Sequence, residues 1–179
     1  MIISVFGQTD KRPVIYTLMK LFQTLGDTCI ISNNRHYCRL TETGSQWGMY
    51  QNVAIFVTDA TADEVFHEIE HDIGDYDYII MDNLYTEDAD LNIYVEGAGK
   101  EPLDEDLLLA LEDSSKTINL GFGKSCVPYS ATMFKNLEII EYYKKLVPVD
   151  ARLTQKLANI LAPHLDLKPA NIIKVVNRK

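Results

Sequence analysis

The chain opens with the stretch IISVFGQTDKRP, residues 2–13, which decides the predicted fold. Its first five residues form a short, mainly apolar run typical of a strand buried on both faces. Pro13 suits the first turn of a helix, because its missing N–H costs nothing there, and apolar residues then recur at helical spacing up to Leu25. A strand, a tight turn and a helix N-terminus together form an anion site, since unpaired backbone N–H groups and the helix dipole point at the ligand.

The rest of the chain alternates short apolar runs with helical patterns. Buried strands are predicted at residues 28–32, 53–57, 78–81, 91–95 and 117–121, with a short edge strand at 37–40 and a strand or tail segment at 172–176. Helices are predicted at 62–74, 104–111, 134–145 and 153–161, and a polar loop at 41–48. This alternation predicts an α/β fold whose mostly parallel sheet of six to eight strands carries helices on both faces, with residues 1–179 forming one domain.

Composition and charge exclude several classes of partner. The 179 residues are 46% hydrophobic and 24% charged, as in an ordinary globular protein. A formal charge of −9 argues against nucleic acid and against anionic membrane surfaces. No apolar run reaches the roughly 20 residues of a membrane span, and no signal-peptide pattern opens the chain, so we expect a cytoplasmic protein without membrane insertion. The three cysteines lack metal-type spacing and are expected to be reduced thiols.

Two motifs in this order resemble the ParA/MinD family of P-loop ATPases. The turn FGQTDKR, residues 6–12, follows the layout of that family's phosphate-binding loop, with Gly7 at a glycine position and Lys11 at the phosphate-binding lysine. The segment YDYIIMD, residues 76–82, is similar to the strand that carries the family's Walker B aspartate, here Asp82. The resemblance covers residues 1 to about 125 and implies a P-loop NTPase fold.

The departures from the family pattern concern the loop's chemistry. Phe6 stands where the family has the lysine that reaches the nucleotide of the other subunit in a dimer. Gln8 replaces a glycine, and Asp10 places a negative charge inside the phosphate cradle. Arg12 replaces the hydroxyl that would bind Mg²⁺. Losing such groups costs about 10³-fold or more in phosphoryl transfer, so we expect no useful hydrolysis, no catalytic residue and no bound metal or cofactor.

The resemblance therefore implies a non-catalytic relative, a pseudo-ATPase that serves as a scaffold or positioning subunit of a larger assembly. Protein partners and a homodimer that needs no nucleotide are expected. The vestigial or weak nucleotide site comprises Gly7, Gln8, Thr9, Asp10, Lys11, Arg12 and Asp82. Two alternatives stay open: a plain surface turn in which these charges pair with one another, and a working switch that binds ATP and Mg²⁺ through Lys11 and Asp82.

Three other patterns are weaker. His67 and His71 match the His-Glu-x-x-His zinc motif. Both are expected on the solvent-facing side of their helix, and the sequence offers no obvious third zinc ligand. The segment GFGKS, residues 121–125, resembles the end of a phosphate loop and is expected to form a turn at the sheet's carboxyl edge. Tyr142 and Tyr143 are expected to pack in the core rather than form a partner surface.

Overall fold

The computed structural model describes residues 1–7, 9–41, 44–69, 72–96, 116–121, 127 and 129–178. Its strands are β1 (Ile2–Phe6), β2 (Thr28–Ser32), β3 (Trp47–Tyr50), β4 (Val53–Val57), β5 (Tyr78–Asp82), β6 (Leu91–Glu96) and β7 (Thr117–Gly121). Its α-helices are α1 (Arg12–Phe22), α2 (Ala62–Glu68), α3 (Ala131–Tyr143), α4 (Ala151–Leu165) and α5 (Pro169–Val176). Two 3₁₀ helices cover Arg35–Arg39 and Ile73–Asp75.

The strands form one seven-stranded sheet in the order β3-β4-β2-β5-β1-β6-β7. Every neighbouring pair is parallel except β3 and β4, which form an antiparallel hairpin. The predicted mostly parallel α/β sheet is therefore confirmed. β1 lies between β5 and β6, so the turn after β1 and the last residue of β5 meet at one sheet edge.

Both faces of the sheet are covered by apolar side chains. The larger cluster joins one face to α1, α3, α4 and α5, and α1 is buried along all of residues 13–22. The smaller cluster joins the other face to Val65 and Phe66 of α2. Such cover on both faces explains why every residue of β2 and β4 is buried, without the alternation of a half-exposed strand.

Four local predictions were wrong. Residues 37–40 are not a strand, because the Asn34 side chain accepts the His36 N–H and starts the 3₁₀ helix. The predicted loop at 41–48 contains the start of β3. The helix predicted at 62–74 ends at Glu68, and Asp72 caps a separate 3₁₀ turn. Tyr142 and Tyr143 are exposed rather than packed in the core.

The basic C-terminal region is also helical rather than a strand or tail. Pro169 occupies the first turn of α5, and Ile172 and Val176 are buried one helical turn apart. The β-branched residues of this segment have a local preference for a strand. Packing against α1 and α4 nevertheless makes the segment helical. The predicted helix at 104–111 and residues 122–126 lie outside the described residues.

Across the described part of the chain, no helix is long and apolar enough to cross a membrane.

Gly7 is the residue whose replacement should disturb this fold most directly. Its φ of +136° is unfavourable for other residues, and a Cβ built there would lie 2.3 Å from the Val95 carbonyl oxygen. We expect Gly7→Ala to lower the free energy of unfolding by about 3 kcal/mol or more, since backbone strain and a backbone clash add. Chemical denaturation monitored by circular dichroism measures this change.

Gly44→Ala is the matched control. Gly44 also has a positive φ, +68°, but an added Cβ would meet no atom of the described residues within 4 Å. Only the left-handed conformation is then penalised, at about 1 kcal/mol. Equal losses in the two variants would contradict the close approach of Gly7 to β6.

Candidate functional site

The candidate site lies where the turn after β1 meets the end of β5. Val5 pairs with Asp82 in the sheet register, so the loop from Gly7 to Lys11 begins beside this aspartate. The loop leads directly into α1, whose first residue is Arg12. Of the predicted site residues, the structure brings together Gly7, Asp10, Lys11, Arg12 and Asp82, while Gln8 lies outside the described residues.

Lys11 is turned back onto its own loop. Its Nζ donates to the Gly7 carbonyl oxygen at 2.9 Å and lies 3.4 Å from Asp82 Oδ1. The side chain is only 11% exposed. The ammonium that the sequence resemblance assigns to phosphate binding is thus paired with a carboxylate of this chain.

Asp82 is a buried carboxylate with two different oxygens. Oδ2 accepts the Ser32 hydroxyl at 3.0 Å, and that hydroxyl in turn accepts the Asn34 N–H. Oδ1 has no hydrogen-bond partner among the described residues. It forms an ion pair with the Lys11 ammonium, 3.4 Å away. Burial raises the pKa of Asp82 above its usual value, although Lys11 and Ser32 oppose the rise.

Arg12 binds Asp10 two residues earlier in the chain. Its Nε lies 2.8 Å from Asp10 Oδ1 and its Nη2 2.6 Å from Oδ2, a bidentate pair. Asp10 Oδ1 also accepts the backbone N–H of Arg12. Burial favours protonation of Asp10, but its hydrogen bonds and charge interaction with Arg12 outweigh burial and hold its pKa below the usual value. The same pairing raises the pKa of the Arg12 guanidinium.

Glu141 on α3 ties the helical layer to this loop. Its Oε1 accepts from Arg12 Nη1 at 3.0 Å and from the buried Tyr16 hydroxyl at 3.0 Å. The Glu141 side chain is 4% exposed. Burial, reinforced by the neighbouring Glu141 charge, raises the pKa of Tyr16. A buried carboxylate requires such partners, because an unpaired charge in this position costs several kcal/mol.

His36 completes this cluster from the 3₁₀ helix. Its Nε2 lies 2.8 Å from Glu141 Oε1 and 3.0 Å from Arg12 Nη1. Arginine only donates hydrogen bonds, so Nε2 either accepts from Arg12 or donates to Glu141, according to the tautomer.

Phe6 and Thr9 also fix the position of the loop relative to the rest of the protein. Phe6, at the position of the family's dimer-spanning lysine, is fully buried and lies with its ring centroid 6.5 Å from that of Tyr85. Thr9 Oγ1 and the Tyr129 hydroxyl are 2.7 Å apart, which connects the loop to the segment before α3. Phe6 is therefore a core residue here, and Thr9 has a structural hydrogen bond.

The residues present do not fit a magnesium-bound triphosphate. Asp82 Oδ1 lacks a hydrogen-bond partner among the described residues and would suit a metal-bound water, but it is already ion-paired with Lys11. In addition, the Arg12 cation stands where the resemblance expects a metal-ligand hydroxyl. Asp10, Asp82 and Glu141 supply three negative charges against two positive charges from Lys11 and Arg12, so this cluster is net −1 without His36. A polyphosphate would meet cations that are already paired and an excess of carboxylates.

The weaker motifs gain no support. His67 is exposed on α2, and its partner His71 lies outside the described residues. Gly121 ends β7, and the rest of its motif is likewise outside them. Within the described ranges, no three His, Cys, Asp or Glu side chains are grouped to hold a metal ion. Cys29 is a buried free thiol, and burial raises its pKa, which is typical of a packing residue rather than a nucleophile.

Comparison with known proteins adds no assignment: no family model matches the chain, and no curated protein matches it with significant similarity.

Sequence reasoning missed Glu141, His36, Tyr16 and Ser32. The spacing of Glu141 offered one signal, because it falls on the same helix face as the buried Met133, Leu137 and Ile140. A carboxylate on a buried helix face requires a cation, and Arg12 is its partner here.

Glu141→Gln should destabilise the protein because it leaves the partly buried Arg12 side chain short of negative charge. We expect a loss of about 2–3 kcal/mol, below the full value for breaking a buried ion pair because Asp10 still binds Arg12. The control Glu138→Gln alters an exposed carboxylate three residues earlier on α3 and should change stability by about 0.5 kcal/mol at most. Urea denaturation of both variants tests this, and similar losses in the two would argue against the cluster.

The Asp10–Arg12 pair should make stability depend on pH. Because the folded-state pKa of Asp10 lies below its ordinary value of 3.8, its contribution is fully present above that value and is lost as pH falls through the folded-state pKa. Asp10→Asn should therefore cost about 1–2 kcal/mol near pH 7, an amount reduced by partial exposure, and progressively less as the pH falls from the ordinary value of 3.8 through the lower folded-state pKa.

Denaturation curves of wild type and Asp10→Asn across this pH range give the difference directly. Asp59→Asn, which alters an exposed carboxylate, serves as the control and should show no such trend. A cost that stays constant with pH would show that the Asp10 charge contributes nothing.

Proposed function

We propose that this protein is a non-catalytic relative of the ParA/MinD ATPases that acts as a scaffold or positioning subunit in a larger protein assembly. The observation that carries the proposal is the internal pairing of both loop cations: Lys11 with Asp82 and the Gly7 carbonyl, and Arg12 with Asp10 and Glu141. A loop that satisfies its own cations has little electrostatic attraction left for a nucleotide.

The strand order supports the family relationship. β1, with the loop, lies directly beside β5, whose final residue is Asp82, and both strands are parallel and buried. This is the arrangement that the two sequence motifs require if they belong to one phosphate site. This adjacency is what a P-loop framework requires, and it supports the proposal although the loop has different chemistry.

The burial of Phe6 supports a role without nucleotide-dependent dimerisation. A lysine at this position would have to reach across to the nucleotide of another subunit, whereas the Phe6 ring is fully enclosed in its own subunit. Assembly of this protein with itself or with partners is therefore expected to need no ATP.

A working nucleotide switch is the second candidate, and one observation favours it. Lys11 is the last residue of the loop before α1, and its Nζ lies 3.4 Å from Asp82 Oδ1. Rotation of its flexible side chain would free the ammonium to bind a phosphate. In that case a nucleotide has to provide enough binding energy to separate Lys11 from Asp82.

Isothermal titration calorimetry with ATP, ADP and GTP, each with and without Mg²⁺, distinguishes the two candidates. We expect no saturable binding at micromolar nucleotide and no phosphate release above background. Binding of Mg-ATP that is lost in Lys11→Ala but kept in Lys135→Ala, an exposed lysine on α3, would establish the switch instead.

A further inference from the structure

Strand β3 leaves one of its edges unpaired within the described residues. It is the terminal strand of the sheet and pairs only with β4. The Val57 N–H donates to the Gln46 carbonyl, so by the alternation of an antiparallel ladder Gly48 and Tyr50 also face β4 with their main-chain groups. The main-chain N–H and C=O groups of Trp47 and Met49 then point away from β4. The Trp47 carbonyl also accepts the Ser45 hydroxyl at 2.6 Å.

Although β3 is only four residues long, it carries none of the charges or prolines that often protect an edge strand. Proteins commonly place lysine, proline or inward-pointing charges on such strands to prevent strand-to-strand association. Residues 44–58, which include all of β3 and β4, contain no charged residue and no proline, in a chain that is 24% charged. Trp47 and Met49, on one face of β3, are 40% and 54% exposed.

More exposed aromatic surface lies next to the β3–β4 turn. The Tyr50 hydroxyl donates to the Ile140 carbonyl, and Gln51 Nε2 donates to the Lys144 carbonyl, which fixes the end of α3 over this turn. That helix end carries Tyr142 and Tyr143, 66% and 78% exposed. Apolar side chains thus lie on both sides of the sheet at the β3 end, as in the core of a protein interface.

We propose that a second copy of this chain pairs with β3 and extends the sheet across a two-fold axis. In an antiparallel arrangement centred near Gly48, Trp47 of one copy lies opposite Met49 of the other, and the outward main-chain groups of both residues find partners. The main-chain groups on the outer edge of β3 can form hydrogen bonds with another strand, which is why a strand is expected to bind there.

The uncharged edge permits a second copy to bind, and the matching Trp47 and Met49 positions make that edge self-complementary. Two molecules of charge −9 repel each other over most of their surfaces, but they meet without like-charge contacts where residues 44–58 face each other. A strongly basic or acidic partner would gain nothing from this uncharged segment. A two-fold axis closes the assembly at two subunits, because each copy has a single β3 edge.

This inference does not depend on the proposed function. The β3 edge and the loop after β1 are separated by three strands, β4, β2 and β5, so a dimer formed through β3 leaves the loop uncovered. Its formation should be the same with and without Mg-ATP.

Sedimentation velocity on the full chain, with and without Mg-ATP, tests the proposal. Wild type is expected to be dimeric at micromolar concentration, and high salt should not weaken the dimer, since no charge pair holds it. Met49→Lys puts like charges close together across the axis and should raise the dissociation constant about tenfold or more. The control Tyr85→Lys alters an aromatic residue of similar exposure, 44%, near the loop and should remain dimeric.

Mixing two variants excludes misfolding as the cause. Met49→Lys and Met49→Glu should each be monomeric alone, and an equimolar mixture should regain the dimer through opposite charges. A monomeric wild type, or a dimer that Met49→Lys leaves unchanged, would overturn the proposal. A dimer that appears only with Mg-ATP would overturn it as well, and nucleotide titration would then show separately whether the proposed function also fails.

Discussion

The buried carboxylate of Glu141 is the constraint on which the loop region depends. One of its oxygens contacts Arg12, Tyr16 and His36, which come from the start of α1, its second turn and the 3₁₀ helix after β2. A charge at this depth is tolerated only when donors surround it. Two elements, α1 and the 3₁₀ helix, must therefore hold fixed positions relative to α3, and this requirement also fixes the position of Arg12 in its pair with Asp10.

The sheet order explains why the loop neutralises itself. Because β1 and β5 are neighbours, Lys11 and Asp82 are brought together by the backbone, before any ligand is considered. In a site that binds polyphosphate, such a lysine must remain available to an anion. Here the surrounding carboxylates outnumber the cations, and burial of Asp82 makes its separation from Lys11 costly. The position of the loop beside Asp82 is therefore set by the sheet, whereas the ion pairs of the loop are set by its side chains.

Much of the sheet was predictable because buried parallel strands leave a strong apolar signal. The strands at 28–32, 53–57 and 117–121 match their predicted bounds. The segments at 37–40 and 172–176 were mistaken for strands, because capping by Asn34 and packing of α5 are not visible in short apolar runs. The proximity of the loop to Asp82 was predictable from two motifs, whereas Glu141 and His36 are distant from the loop in sequence and join it only through tertiary packing. Their roles depend on distances that no local pattern contains.

The position of α1 has a consequence for how the molecule forms. This helix is buried along nearly its whole length, and part of its cover comes from α4 and α5, which follow it by more than a hundred residues. Contacts so distant along the chain must wait for a large loop to close, and they slow folding. During synthesis part of the apolar surface of α1 therefore stays uncovered until α4 and α5 have left the ribosome. In that interval chaperones can bind the exposed apolar surface of the nascent chain.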